Sequence, residues 1–146
     1  MTKDLKSLVI IFKVHAKLLG HVKQSLADTE LSVNEFTALE ALYHKGSLSA
    51  QELIDKVLIP NSSMTYVLDS LEKKGLITRV SAEDDRRVRL SSLTDEGTRL
   101  FEAIYDVHYR HMRSVFDVLT DEEEFEMQEL LKKLGKTEPI TETRKQ

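Results

Sequence analysis

Apolar residues recur along most of this chain at helical spacing. In the stretch SSMTYVLDSLEKKGLI, Ser62 to Ile77, the residues Met64, Val67, Leu68 and Leu71 fall at i, i+3, i+4 and i+7, one face of a short helix. Helix starts are legible elsewhere. LSVNEF sets Ser32 as N-cap with Glu35 three residues on, and Leu31 and Phe36 as a hydrophobic staple. LSAQEL repeats the device with Ser49, Glu52, Leu48 and Leu53, and LTDEE offers Thr120 and Glu123. LTDEG starts a helix at Thr94 with two acids in its first turn, which suits the macrodipole. Gly75, after Lys73 and Lys74, reads as a C-terminal stop. These signals predict helices near 4–27, 32–45, 49–57, 61–74, 94–118 and 121–134, then a frayed tail from Gly135 through Pro139.

Between Gly75 and Thr94 the period changes. LITRVS and RVRLSSL carry β-branched residues in partial alternation around the polar loop AEDDR, which predicts a β-hairpin, although the alternation breaks at Ser91 and Ser92. The order is therefore helix, short turn, helix, charged hairpin. A helix-turn-helix lays its second helix in the major groove. The first turn of that helix is rich in hydroxyls (Ser62, Ser63, Thr65, Tyr66), where a surface helix more usually carries Glu, Lys or Ala. Such short or rigid donors and acceptors reach phosphates and base edges without blocking close approach. Asn61 or Ser62 is expected to cap the helix, whose free N–H groups can receive a phosphate. The plainer reading of a Ser/Thr-rich first turn is capping alone. Its place after a turn and before a basic hairpin favours DNA.

Composition narrows the class. The 146 residues fit one domain, and 40% are hydrophobic, enough for a modest core. With no cysteine there is no disulfide, thiolate ligand or thiol switch. LVIIF, Leu8 to Phe12, is too short for a membrane span or signal core, so a soluble cytoplasmic protein is expected. The net charge of −4 speaks against nucleic acid, but its distribution does not. Lys73, Lys74, Arg79, Arg86, Arg87 and Arg89 outnumber Glu83, Asp84 and Asp85 between residues 73 and 89. From Asp117 to Glu129 there are seven acids and no Lys or Arg. A molecule so polarised can hold one end to a polyanion. Enzyme signatures are missing: no Gly-rich phosphate loop, H-E-x-x-H, nucleophile elbow or cysteine nucleophile occurs. No cofactor is expected.

The terminal helices carry more apolar surface than one neighbour can cover. Leu100, Phe101, Ile104, Val107, Met112, Val115, Phe116 and Leu119 fill about half the circumference of the fifth, where a surface helix needs a narrower stripe. The first helix does the same through Leu5, Leu8, Val9, Phe12, Leu19, Val22 and Leu26. A homodimer is expected, addressing a pseudo-palindrome with half-sites about one turn apart. His15, His108 and His111 lie on apolar faces, while His21 faces the polar side and His44 ends the second helix. Three readings stand for them: packed and hydrogen-bonded histidines, an effector pocket, or a zinc site. The last lacks a Cys or paired acid.

LSVNEFTALEALYHKG, LSAQELIDKVLIP running into NSSMTYVLDSLEKKGLI, and DDRRVRLSSLTDEG together resemble the MarR family of bacterial winged-helix transcriptional regulators. The last stretch matches the family's wing pattern through Asp85, Arg87, Leu93 and Thr94, and the likeness runs from about Leu5 to Leu134. It implies a mainly α fold with a small β-hairpin wing: a winged helix-turn-helix with long N- and C-terminal dimerisation helices, about 4–27 and 94–134, around a DNA-binding part at about 32–93. By the same resemblance Asn61, Ser62, Ser63, Thr65 and Tyr66 read the major groove of double-stranded DNA and Arg87 enters the minor groove from the wing. Asp85 braces the wing arginines, and Lys73, Arg86 and Arg89 add cationic contacts. The two acids Asp84 and Asp85 beside Arg86 and Arg87 depart from a strongly positive wing tip.

Within the family, ALYHKG and the recognition-helix stretch look similar to regulators that respond to quinones and phenols. The resemblance implies a repressor released by a small aromatic effector. Phe12, His15, Tyr43, Tyr105, His108 and His111 are the residues that this architecture could gather around it. Without cysteine the response is reversible binding, not oxidation. A zinc-responsive regulator of the same fold, or a winged helix used for protein–protein contact, are the alternatives.

Overall fold

The computed structural model describes residues 3–57 and 59–137; Pro139, assigned above to a frayed tail, lies outside them. Two compact units are distinguished, Met1–Met112 and Arg113–Gln146. In chain order the elements are α1 (Lys6–Ser25), α2 (Val33–Lys45), β1 (Leu48–Ser49), α3 (Ala50–Lys56), α4 (Asn61–Lys73), β2 (Ile77–Ser81), β3 (Arg89–Leu93), α5 (Asp95–Phe116) and α6 (Asp121–Gly135).

The predicted starts hold because their side chains satisfy the free N–H groups of each first turn. Ser32 with Glu35, Ser49 with Glu52 and Thr120 with Glu123 all form reciprocal capping boxes. The cap expected on α4 is a correction. Neither Asn61 nor Ser62 caps it; Pro60 takes the N-cap position with no side-chain bond, and the Ser63 N–H reaches the Pro60 carbonyl at 2.9 Å. Proline brings a φ already near the helical value, so α4 opens directly at Asn61 without a polar cap.

Gly75 ends α4 as expected, at φ +76°, where a side chain would be strained. Its N–H bonds the Glu72 carbonyl and the Leu76 N–H bonds that of Leu71, a Schellman closure.

The hairpin is present, with β2 and β3 antiparallel and Ile77 opposite Leu93. A third strand was not foreseen. β1 pairs β3 through Leu48 with Ser91 and Ser49 with Leu90, giving the order β1-β3-β2. Two residues are too few to show a period of two. The central place of β3 also explains the broken alternation: Ser91 is fully buried, and the Ser92 hydroxyl meets that of Ser47 at 2.5 Å.

Within the first unit, one core gathers Leu31, Phe36, Leu39 and Leu42 of the α2 region, Leu53 of α3, Met64, Val67, Leu68 and Leu71 of α4, Leu76, Ile77, and Phe101 and Ile104 of α5. Both staple pairs, Leu31 with Phe36 and Leu48 with Leu53, lie in it. α1 buries no residue of its own, and Leu5, Leu8, Val9 and Phe12 are exposed. In the second unit Arg113 spans Asp117 at 3.0 Å and Glu124 at 2.6 Å, which joins the end of α5 to the first turn of α6 and holds the guanidinium pKa above its usual value.

The start of α5 is pressed against the chain leaving α4. A Cβ at Gly97 would lie 2.0 Å from the Leu76 carbonyl oxygen, which already accepts the Thr94 N–H at 3.0 Å. Glycine inside a helix usually costs about 1 kcal/mol relative to alanine. Here the sign reverses. Gly97→Ala is expected to destabilise the fold by ~1–3 kcal/mol through overpacking, seen as a lower urea midpoint at unchanged slope. A midpoint equal to or above that of the parent would mean that α5 yields freely.

Candidate nucleic-acid interface

The face of α4 turned away from the core is built as its sequence implies. Met64, Val67, Leu68 and Leu71 are buried, so Asn61, Ser62, Thr65 and Tyr66 point outward and Ser63 is half-buried at the edge. Tyr66 is 76% exposed, so its ring is not a packing element of this chain. Lys73 is exposed in the last turn. Among the described residues no side chain caps the first N–H groups of α4, which leaves them able to receive an anion.

The direction of that face is fixed from the other end of α4. Glu35, buried in the first turn of α2, accepts from Lys74 at 2.8 Å, from the Ser70 hydroxyl at 3.0 Å and from the Ser32 N–H at 3.1 Å. Burial pushes the Glu35 pKa up, but the Lys74, Ser32 and Ser70 bonds outweigh it and hold the carboxyl below the usual range. Lys74 is thus engaged by an acid of α2, although its side chain remains accessible, and Arg79 is engaged too. The Arg79 guanidinium bonds Asp69 at 2.6 Å and Glu72 at 2.9 Å, tying β2 to α4. Of the six cations between 73 and 89, Lys74 and Arg79 are thus committed to acids of α2 and α4, which leaves Lys73, Arg86, Arg87 and Arg89. Asp69 and Glu72, one turn apart on α4, are the acids that take Arg79, and Glu35 of α2 takes Lys74.

At the wing, Asp85 accepts the Arg87 N–H at 3.0 Å, and its carboxylate lies 3.9 Å from the Arg87 Nε. The Arg87 side chain is 95% exposed, and Arg86 beside it is exposed too. Arg89 donates to the Arg79 carbonyl at 3.2 Å. A cleft of about 340 Å³ brings Thr65 of α4 together with Arg87 and Arg89 of the wing. Ser49 and Gln51, at the start of α3, and Arg79 of β2 line it too; sequence reasoning uses Ser49 only as a cap and misses Gln51.

The six residues expected to line one effector pocket are divided. His15 and His108 share a cavity of about 680 Å³ with Val22, Phe36, Glu40 and Lys56. Tyr43 and Tyr105 line a separate cavity of about 380 Å³. Phe12 and His111 line neither, Phe12 being 65% exposed on α1. Helical spacing had placed all six on suitable faces, but which faces of α2 and α5 meet is decided by packing. His21 is a further correction: it is half-buried, with its ring 5.5 Å from that of His111, and does not face solvent. His108 lies 2.8 Å from the Ser25 hydroxyl and against Phe36, and burial, then the neighbouring His111, lowers its pKa. Among the described residues no three His, Asp or Glu side chains are grouped to hold a metal ion.

This arrangement can be set beside known proteins. The model of the MarR family matches residues 31–88, the span from the capping box of α2 through the wing. The HTH-type transcriptional regulator MhqR of Bacillus subtilis (strain 168) is 34% identical over 133 residues, covering 91% of this chain and 92% of that protein. The chain belongs to the MarR family. It is accordingly a transcriptional regulator and not an enzyme. Among solved structures, NadR in complex with 4-hydroxyphenylacetate superposes with a TM-score of 0.79 at 25% identity over 94% of this chain and 98% of that one. BpsR of Bordetella bronchiseptica, whose DNA binding is regulated by 6-hydroxynicotinic acid, gives 0.81 at 22% over 93% and 96%, a likeness of fold. The winged helix-turn-helix is the fold of this MarR-family chain, and no described helix is long and apolar enough to cross a membrane.

Because the Glu35 pKa is depressed in the folded state, the stability it confers is full above the unfolded value, about 4.3, and is lost as pH falls through the folded one. In this MarR-family protein, urea midpoints of the parent and of Glu35→Gln should therefore differ by a constant amount down to about pH 5 and converge below it. A gap that persists to pH 3 would mean that the carboxylate charge contributes nothing to the clasp.

Proposed function

We propose that the chain is a homodimeric repressor that binds a pseudo-palindromic DNA operator and lets go when a small phenolic or quinone-like ligand binds. The observation that carries the first half is the cleft shared by Thr65, Arg87 and Arg89, beside an outward polar face and an uncapped α4 N-terminus. In this reading Asn61, Ser62, Ser63, Thr65 and Tyr66 meet bases and phosphates in the major groove. Arg87, and with it Arg86, Arg89 and Lys73, meets the backbone or minor groove. Asp85 sets the angle of Arg87 through its bond to the backbone N–H. The exposed apolar residues of α1, among them Leu8, Val9 and Phe12, support a partner of the same kind, as do Phe125 and Leu130 of α6.

The ligand half rests on the cavity around His15 and His108. Burial favours a neutral His108 imidazole, which can accept from or donate to a phenol oxygen, and Lys56 can meet a carboxylate. That NadR was solved with 4-hydroxyphenylacetate supports the same ligand chemistry here. Release requires only that the ligand favour a dimer whose two α4 helices are wrongly spaced for the operator.

Mobility-shift titrations against the DNA upstream of the chain's own reading frame test the first half. Arg87→Ala should weaken binding and lower the slope of log K against log salt by about 0.9 per subunit. Tyr66→Ala should lose ~1–3 kcal/mol on the operator and nothing on random DNA. Equal losses on both would remove Tyr66 from base reading, and an unchanged Arg87 slope would remove the wing from the interface.

Titrating the operator complex with 4-hydroxyphenylacetate and simple quinones tests the second half. Release by one of them, blunted in His15→Ala while ligand-free DNA binding stays unchanged, is the expected result. Release by zinc alone would reassign the histidines to a metal.

A further inference from the structure

The smaller cavity has a different chemistry. Its lining is Tyr43, Phe101, Glu102, Tyr105, Asp106 and Tyr109, four aromatic rings and two carboxylates with no Lys or Arg. The rings run as a connected row, with centroids 4.7 Å apart from Tyr43 to Phe101, 5.3 Å from Phe101 to Tyr105 and 6.2 Å from Tyr105 to Tyr109. Phe101 is anchored in the core, whereas Tyr43 and Tyr109 stay exposed, 40% and 52%. The Tyr43 hydroxyl donates to Glu102 Oε1 at 3.0 Å, which holds both the ring and the carboxylate in place and raises the Tyr43 pKa. Tyr43 is the hydrogen-bond partner of that carboxylate, and among the described residues no Lys or Arg forms an ion pair with it. Asp106 is paired with Arg110 at 3.1 Å at the exposed rim.

A ring face is negative, and a carboxylate beside it adds full charge, so both features attract the same kind of ligand. An anion is repelled by Glu102 and Asp106. A small hard metal ion would find too few oxygens to replace its water shell. An ammonium ion with alkyl substituents fits both demands, because its surface is apolar and its charge is spread over it.

We propose that this aromatic–carboxylate cavity is a binding site for a small organic ammonium ion, distinct from the His15–His108 cavity. The cation lies over the faces of Tyr105 and its neighbours with Glu102 as counter-charge. The site goes beyond the phenolic reading and does not depend on it, since the two cavities share no lining residue.

The test uses choline chloride as probe and 3,3-dimethylbutan-1-ol as its uncharged isostere, with calorimetry and tyrosine ring NMR at matched ionic strength on the full chain. Choline should bind saturably at one site per chain and at least tenfold more tightly than the alcohol. Glu102→Gln, which keeps an acceptor for Tyr43 but removes the charge, should weaken choline at least tenfold with an unchanged circular dichroism spectrum. Tyr105→Leu should weaken it too, and His15→Ala should leave it unaltered. No saturable binding, equal binding of choline and the alcohol, or an unaltered affinity in Glu102→Gln would each overturn the site.

Discussion

The chain leaving α4 is stitched to the chain entering α5, and the rest of the reading unit depends on that seam. The Thr94 hydroxyl donates to the Gly75 carbonyl at 2.7 Å, its N–H donates to the Leu76 carbonyl at 3.0 Å, and its oxygen caps Gly97 at 3.0 Å. Between these two points lies the whole wing. Closing both ends of the hairpin on one short stretch means that β2 and β3 leave and return at a fixed place, next to the end of α4. The absence of a side chain at Gly97 is what allows the approach. Recognition helix, wing and α5 are therefore referenced to one another through a few backbone groups, not through long flexible side chains.

The same unit divides its charges between holding and reaching. Lys74 and Arg79 hold: one neutralises the buried Glu35, the other the Asp69–Glu72 pair. Each is bonded to acids on α2 or α4, so together they set the pitch of α4 against its neighbours. Arg86, Arg87 and Lys73 extend into solvent. The outward pairs are exposed and contribute little to stability, as surface ion pairs do. Net acidity is compatible with the proposed DNA binding, because a polyanion at the α4–wing cleft would meet the local field there and not the sum over the chain.

Two cavities of opposite chemistry abut α5. One offers imidazole and a lysine near its apolar wall, the other aromatic faces and a carboxylate held by a tyrosine hydroxyl. Residues of α2 line both, Phe36 and Glu40 the first and Tyr43 the second. α2 also carries Glu35, the residue that clasps α4. A ligand in either proposed site would act on the helix that holds α4, a physical route by which occupancy would be coupled to the proposed DNA binding.

What the sequence determined by itself was local. Capping boxes, the glycine stop and the apolar stripes depend on residues within a few positions of one another, and six helices and a hairpin could be placed from them to within a few residues. The resemblance carried by the helix and wing stretches supplied the winged-helix order, and family membership then followed from similarity along the chain. Contacts between elements were decided only by the tertiary structure. β1 is two residues long and exists because β3 offers it an edge; Ser91 is buried because β3 is central. Asn61 loses its capping role to Pro60, and His21 turns from an assumed polar face toward His111. Arg79 and Lys74 have their charges paired once their acids are folded against them. Of the six aromatic and imidazole residues, two line each cavity and Phe12 and His111 line neither, because helical periodicity gives the face of each helix but not the rotation at which two helices meet.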